Sequence, residues 1–142
     1  MRLRYWLTCL AICLFAPLQA YAAAQINSAR IWRAPDNTRL VFDLSGPVEH
    51  NVFSLENPER IVIDVKSATM HANIKNILQA RSPLKDVRVG KKDNELRIVL
   101  DMTAKVYPKS FTLPPNQQYG HRLVVDLFDS VQDPIAAVIK QQ

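Results

Sequence analysis

The sequence predicts a small all-β sandwich of two four-stranded sheets, with an internal pseudo-twofold duplication and one short connecting helix. Three observations favour this fold. Apolar residues recur with a period of two, which is typical of strands with one buried face. Turn-forming residues separate these segments at short intervals. One motif of six residues is written four times, as RLVFDL at 39–44, RIVIDV at 60–65, RIVLDM at 97–102 and RLVVDL at 122–127.

The first 22 residues have the features of a secretory signal. Arg2 and Arg4 give a positive start, residues 6–18 form an apolar run, and Ala-Tyr-Ala at 20–22 resembles a signal-peptidase site. A membrane anchor is the alternative, but the run is shorter than the roughly 20 residues that cross a bilayer. Residues 1–22 are therefore predicted to be a signal peptide. The mature protein is expected in the periplasm, without a membrane span.

The composition of the remaining chain limits the classes of partner. Both cysteines, Cys9 and Cys13, lie in the apolar run, so the mature chain is expected to have no disulfides and no thiol chemistry. Two of the 18 Lys and Arg residues lie in the signal, which leaves 16 against 13 Asp and Glu and a net charge of +3. This surplus is too small and too dispersed for a nucleic-acid footprint. No nucleic-acid partner is expected.

The predicted domain contains an internal sequence repeat. Setting residue i beside residue i+58 places Arg30 on Arg88 and Asp43 on Asp101. The last motif copy needs four extra residues, which the loop at 114–120 supplies. The predicted segments are a domain at 23–130 with halves at about 25–66 and 84–129, and a tail or start of a linker at 131–142.

Each half is expected to form a four-stranded meander whose apolar face packs on the other half. The predicted strands are 25–33, 38–44, 49–55 and 60–66 in the first half, and 84–91, 95–102, 106–113 and 122–128 in the second. Between the halves, Ile74, Ile77 and Leu78 stand at helical spacing. This spacing predicts a short helix over 72–80.

Alternation decides which side of each strand faces the core. In RLVFDL the residues at 40, 42 and 44 form the wider apolar set and point inward, which leaves Arg39 and Asp43 on the outer face. Within one strand these two residues lie about 13 Å apart, too far for a direct pair. Their partners must therefore lie on neighbouring strands or outside the protein.

Two interpretations of the repeated charges remain open. The first is a cross-strand charge ladder, which keeps an exposed sheet soluble and in register. The second is a binding face on which Arg forks meet ligand carboxylates, while Asp orients the arginines or accepts ligand hydroxyls and amides. Trp32 could stack on a sugar ring, or pack partly buried. The candidate residues are Arg39, Asp43, Arg60, Asp64, Arg97, Asp101, Arg122 and Asp126 of the motifs, with Arg30, Trp32 and Arg88 on the first strand of each half.

The sequence resembles the AMIN domain found at the N-terminus of exported bacterial N-acetylmuramoyl-L-alanine amidases. The resemblance lies in RLVFDL, in FSLENPERIVIDV at 53–65 and in SPLKDVRVG at 82–90. It implies a symmetrical sandwich with the recurring motifs on its outer faces. It also implies a module that binds peptidoglycan and helps to place amidases at the septum. The module is expected to be a monomer, with envelope proteins of the division site as further candidate partners. Related modules in the periplasmic part of outer-membrane secretins imply an alternative, a protein-interaction module.

No catalytic pattern is found in the sequence. His50, His71 and His121 lack the spacing of a zinc site, and no serine stands in a G-x-S-x-G turn. The resembled amidases hold zinc in a separate C-terminal domain that this chain does not contain. The chain is therefore expected to be non-catalytic and to have no cofactor of its own.

Overall fold

The structure, a computed structural model, describes residues 23–131. The predicted signal peptide and residues 132–142 of the predicted tail lie outside this part of the chain. The described residues form nine strands and one 3-10 helix. The elements are β1 (Ala24–Arg33), β2 (Asn37–Leu44), β3 (His50–Leu55), β4 (Arg60–Lys66), β5 (Ala68–Met70), η1 (Ile74–Gln79), β6 (Leu84–Lys92), β7 (Glu95–Met102), β8 (Tyr107–Leu113) and β9 (His121–Phe128).

The nine strands form two sheets, in agreement with the predicted all-β sandwich. One sheet has the order β5-β1-β2-β9-β8 and the other the order β3-β4-β7-β6. The expectation of four strands in each sheet is wrong for the first, because β5 pairs with the start of β1 in parallel. Sequence reasoning missed β5 because three residues are too few to show an alternating pattern.

The expectation that each half forms its own sheet is also wrong. Each sheet combines the first hairpin of one half with the second hairpin of the other: β1-β2 pairs with β9-β8, and β6-β7 pairs with β4-β3. The connections at 45–49 and 103–106 therefore cross from one sheet to the other. A few residues are enough to cross the roughly 10 Å between packed sheets, so loop length did not distinguish a corner from a hairpin. The duplication is seen as a pseudo-twofold relation that exchanges the two sheets.

The core lies between the inward faces of the two sheets. Leu40 and Phe42 on β2 are fully buried, as are Ile98 and Leu100 on β7. Each such side chain contributes about 1.5–3 kcal/mol of hydrophobic stabilisation. Alternation thus predicted the inward positions of these strands correctly.

The segment that joins the halves closes part of the core. The helix predicted over 72–80 is present as η1, in which Ile74 and Ile77 are buried against the core. The Lys75 ammonium donates to the Asp86 carboxylate at 2.8 Å and to the Val87 carbonyl at 2.7 Å, which fixes η1 against β6. Within residues 23–131, no helix has the length and apolar character needed to span a bilayer.

Candidate functional site

The candidate residues lie on the two outer faces of the sandwich. The Trp32 face is the outer surface of β1, β2, β9 and β8, and the Gly90 face is the outer surface of β6, β7, β4 and β3. The 58-residue repeat makes Trp32 and Gly90 equivalent positions. The motif Arg and Asp residues alternate with core residues along their strands, so the sequence placed them on the correct side.

One bidentate ion pair crosses the centre of each face. Nε and Nη2 of Arg39 each donate to the Asp126 carboxylate at 2.7 Å, and Arg97 makes the same two contacts with Asp64 at 2.7 Å. The partners stand directly opposite each other in register, on β2 and β9 and on β7 and β4. Asp64 and Asp126 are nearly buried, at 6% and 5% exposure. The hydrogen bonds from Arg97 lower the pKa of Asp64 despite its burial.

A second ion pair on each face is diagonal. Arg30 on β1 donates to both oxygens of Asp43 at 2.9 Å, and Arg88 on β6 does the same to Asp101 at 2.9 Å. The Ser28 hydroxyl also donates to Asp43. Fork-to-fork geometry of this kind holds both the guanidinium and the carboxylate in fixed orientations.

The remaining motif arginines are Arg60 and Arg122. Each stands directly across from an aspartate that another arginine already holds: Arg122 is opposite Asp43, and Arg60 is opposite Asp101. Neither forms an ion pair with a carboxylate in the described part of the chain. Arg60 Nε donates to the Pro58 carbonyl at 3.1 Å. Arg122 Nε is buried and meets no acceptor among residues 23–131.

Aromatic rings lie beside the arginines. The Arg39 guanidinium carbon is 5.9 Å from the centre of the Phe111 ring, and its counterpart Arg97 is 5.7 Å from Phe53. The Tyr119 ring lies 5.1 Å from the Arg30 guanidinium carbon and 4.9 Å from that of Arg122. These distances are within the range of cation–π attraction.

A recess of about 240 Å³ opens beside Arg122. Pro47 and Pro114 contribute to its walls, together with Leu113 and His121. A positive group beside a largely apolar wall suits a carboxylate that carries a short apolar substituent. The sequence showed no sign of this recess, because it forms only where the ends of β2, β8 and β9 meet.

His50 and His71 make their hydrogen bonds in different parts of the fold. His50 Nε2 and Ser110 Oγ lie 2.9 Å apart and link β3 of one sheet to β8 of the other. Burial lowers the pKa of His50. His71 bonds to Thr69. Over the described range 23–131, no three His, Cys, Asp or Glu side chains group in a way that could hold a metal ion.

A sandwich of two sheets with the repeated Arg and Asp motifs on its outer faces is what the family resemblance of the sequence implies. The model of the AMIN domain family matches residues 28–127, and the chain belongs to that family. Among curated proteins, it is 30% identical over 128 residues to N-acetylmuramoyl-L-alanine amidase AmiC of Escherichia coli O6:H1. It is also 30% identical over 125 residues to the AmiC amidase of Neisseria meningitidis serogroup B. The matches cover 84% and 82% of this chain but 31% and 30% of those relatives, so the chain spans about a third of their length.

Proposed function

We propose that this chain is the non-catalytic, peptidoglycan-binding module of a periplasmic N-acetylmuramoyl-L-alanine amidase, and that it localises the enzyme to the division septum. Family membership and the two amidase relatives support this parent. Amide hydrolysis in such a parent is expected to require zinc. Among residues 23–131, no three His, Cys, Asp or Glu side chains group in a way that fits a zinc ion.

One observation carries the binding function. Among residues 23–131, Arg122 on the Trp32 face and Arg60 on the Gly90 face have no carboxylate partner, although the aspartate across from each lies in register. The diagonal pairs of Arg30 and Arg88 occupy those aspartates. An arginine held on a sheet with its carboxylate taken by a neighbour is available for an external anion, and at least one of the two is expected to bind the wall. The stem peptides of peptidoglycan supply carboxylates beside sugar hydroxyls.

Binding through these faces is expected to be weak at each contact and to depend on many contacts. The faces are open sheet surfaces, where a single charged contact contributes little free energy. A cell-wall polymer presents the same groups repeatedly, so the effective concentration at a second contact is high. The function is therefore retention on an insoluble polymer rather than tight capture of one small molecule.

Co-sedimentation with purified cell-wall sacculi tests the proposal. The folded protein should pellet with sacculi, and the double variant Arg60→Gln/Arg122→Gln should remain in the supernatant. The matched control is Lys85→Gln/Lys91→Gln, which removes the same two charges from exposed lysines of β6. If the folded wild-type protein does not pellet, the wall-binding function is wrong. Septal placement is tested separately by mid-cell fluorescence of an exported fusion.

A further inference from the structure

The duplication allows the two outer faces to be compared position by position. Three outward positions on each strand of the Trp32 face are the first, third and fifth residues of the ranges 28–32, 39–43, 109–113 and 122–126. Their counterparts on the Gly90 face, in the same order, are the first, third and fifth residues of 86–90, 97–101, 51–55 and 60–64. The Trp32 face holds four cations and two carboxylates at these twelve positions, whereas the Gly90 face holds three of each. Within these twelve positions, only the Trp32 face has a surplus of positive charge.

The aromatic side chains differ in the same direction. Trp32 is 44% exposed and has a glycine as its counterpart, and Tyr119 is 40% exposed. Tyr119 belongs to the long loop between β8 and β9, whereas the corresponding loop at 56–59 contains no aromatic residue. Exposed rings of this kind give flat surfaces on which the apolar side of a sugar ring can pack.

The surroundings of the unpaired arginines differ most. The recess beside Arg122 is walled by Pro47 and Pro114. Their counterparts on the Gly90 face are Lys105 and Glu56, which form a 2.8 Å ion pair with each other. An apolar opening at one arginine is thus replaced by a closed salt bridge near the other.

Arg60 and Arg122 also differ in the hydrogen bonds that their Nε–H groups make. Arg60 Nε already donates to the Pro58 carbonyl, whereas Arg122 Nε is buried without an acceptor among the described residues. A buried donor without a partner costs free energy, because it has given up its hydrogen bond to water. A ligand oxygen that reached this N–H group would remove that cost. The Tyr119 ring, 4.9 Å from the Arg122 guanidinium carbon, holds the guanidinium in place for such a contact.

We propose that ligand binding is one-sided: the Trp32 face takes a carboxylate-bearing glycopeptide, with the carboxylate on Arg122 and an adjoining small apolar side chain in the recess. This rests on the proposed wall-binding function. Trp32 and Arg122 lie two strands and four residues apart, which separates their Cα atoms by roughly 16 Å. A ligand that meets both must extend over several sugar or peptide units. The Gly90 face has the equivalent strands and ion pairs but not this ligand site.

Exchange of equivalent residues tests the one-sided site. In sacculus co-sedimentation, Arg122→Gln should weaken apparent affinity about tenfold or more, since it removes a charge-assisted contact. The matched variant Arg60→Gln should stay within about twofold of wild type. Trp32→Gly, which installs the residue of the other face, should also weaken binding. Circular dichroism and urea unfolding establish that each variant is folded. If Arg122→Gln does not fold, Arg122→Lys replaces it in the binding test.

A soluble probe gives a second, independent readout. A disaccharide-peptide fragment with free carboxylates should shift the NMR signals of Arg122 Nε–H and the Trp32 indole N–H, and leave that of Arg60 Nε–H unchanged. The same fragment with amidated carboxylates should not shift Arg122. Equal losses for Arg60→Gln and Arg122→Gln, in a wild-type protein that does pellet, would overturn the one-sided site and leave wall binding intact. Failure of the wild-type protein to pellet overturns both.

Discussion

Arg122 lies directly across from Asp43 in the register of β2 and β9, yet the Asp43 carboxylate is bonded to Arg30 on the next strand. The same displacement occurs on the other sheet, where Arg88 holds the aspartate opposite Arg60. A simple charge ladder would pair each motif arginine with the aspartate facing it. The diagonal pairs therefore prevent two of the four motif arginines from being neutralised within the sheet.

The first prediction concerns this competition for Asp43. In Arg30→Gln, Asp43 loses the guanidinium group that binds both its oxygens. Arg122, directly across the strand pair, can then bind the Asp43 carboxylate in place of Arg30. Sacculus binding should then fall about as far as in Arg122→Gln, although Arg122 itself is unchanged. Co-sedimentation of the two variants at equal protein concentration measures this.

A double variant separates this effect from a direct role of Arg30. Arg30→Gln/Asp43→Asn again leaves Arg122 without a carboxylate, so binding should recover relative to Arg30→Gln alone. Arg88→Gln at the equivalent position should leave binding close to wild type. Undiminished binding by Arg30→Gln would contradict the competition between the two arginines.

The second prediction is that the direct pairs stabilise the fold. Asp64→Asn leaves Arg97 opposite a neutral side chain in a partly buried site, and should lower the free energy of unfolding by about 1–3 kcal/mol. Urea denaturation at neutral pH measures the loss. Asp129→Asn is the control, because the Arg33–Asp129 pair is more exposed, at 34% and 38%, and its loss should cost at most about 1 kcal/mol. Equal losses in the two variants would show that burial of Asp64 is not decisive.

The third prediction follows from the lowered pKa of Asp64. A carboxylate whose pKa is lower in the folded state contributes stability above its unfolded pKa of about 3.9 and loses it as pH falls through the folded value. The stability difference between wild type and Asp64→Asn should therefore be largest near neutral pH and shrink in acid below about pH 4. Urea midpoints measured across this range check the trend. A difference that does not change with pH would rule out the Asp64 charge as its source.

The sequence predicted the strands well and their assembly less well. The period-two pattern located all eight long strands and put Leu40 and Phe42 inside, because each strand has one buried face. The meander expectation failed because the connection at 45–49 crosses between the sheets, and local turn chemistry does not specify which sheet the chain enters next.

The site shows the same limit. The motifs placed Arg39 and Asp43 on the outer face, but the partner of each aspartate depends on lateral strand order, which one sequence does not reveal. The role of Tyr119 was also missed, because a loop residue has no period that would relate it to a strand. The recess of about 240 Å³ forms where the end of β2 meets β8 and β9, which come much later in the chain.

The last prediction concerns the link between the two sheets. Burial lowers the pKa of His50, so the folded protein takes up a proton on this ring less readily than the unfolded chain does. The unfolded state binds the proton first, and stability should fall as pH drops below about 6.5, then level off below the folded pKa. His50→Gln retains a polar partner for Ser110 without the titration, so its stability should change less between about pH 7 and about pH 5. Urea midpoints of the two proteins measure this, with the exposed His71→Gln as the control, and equal slopes for wild type and His50→Gln would exclude His50 as the cause.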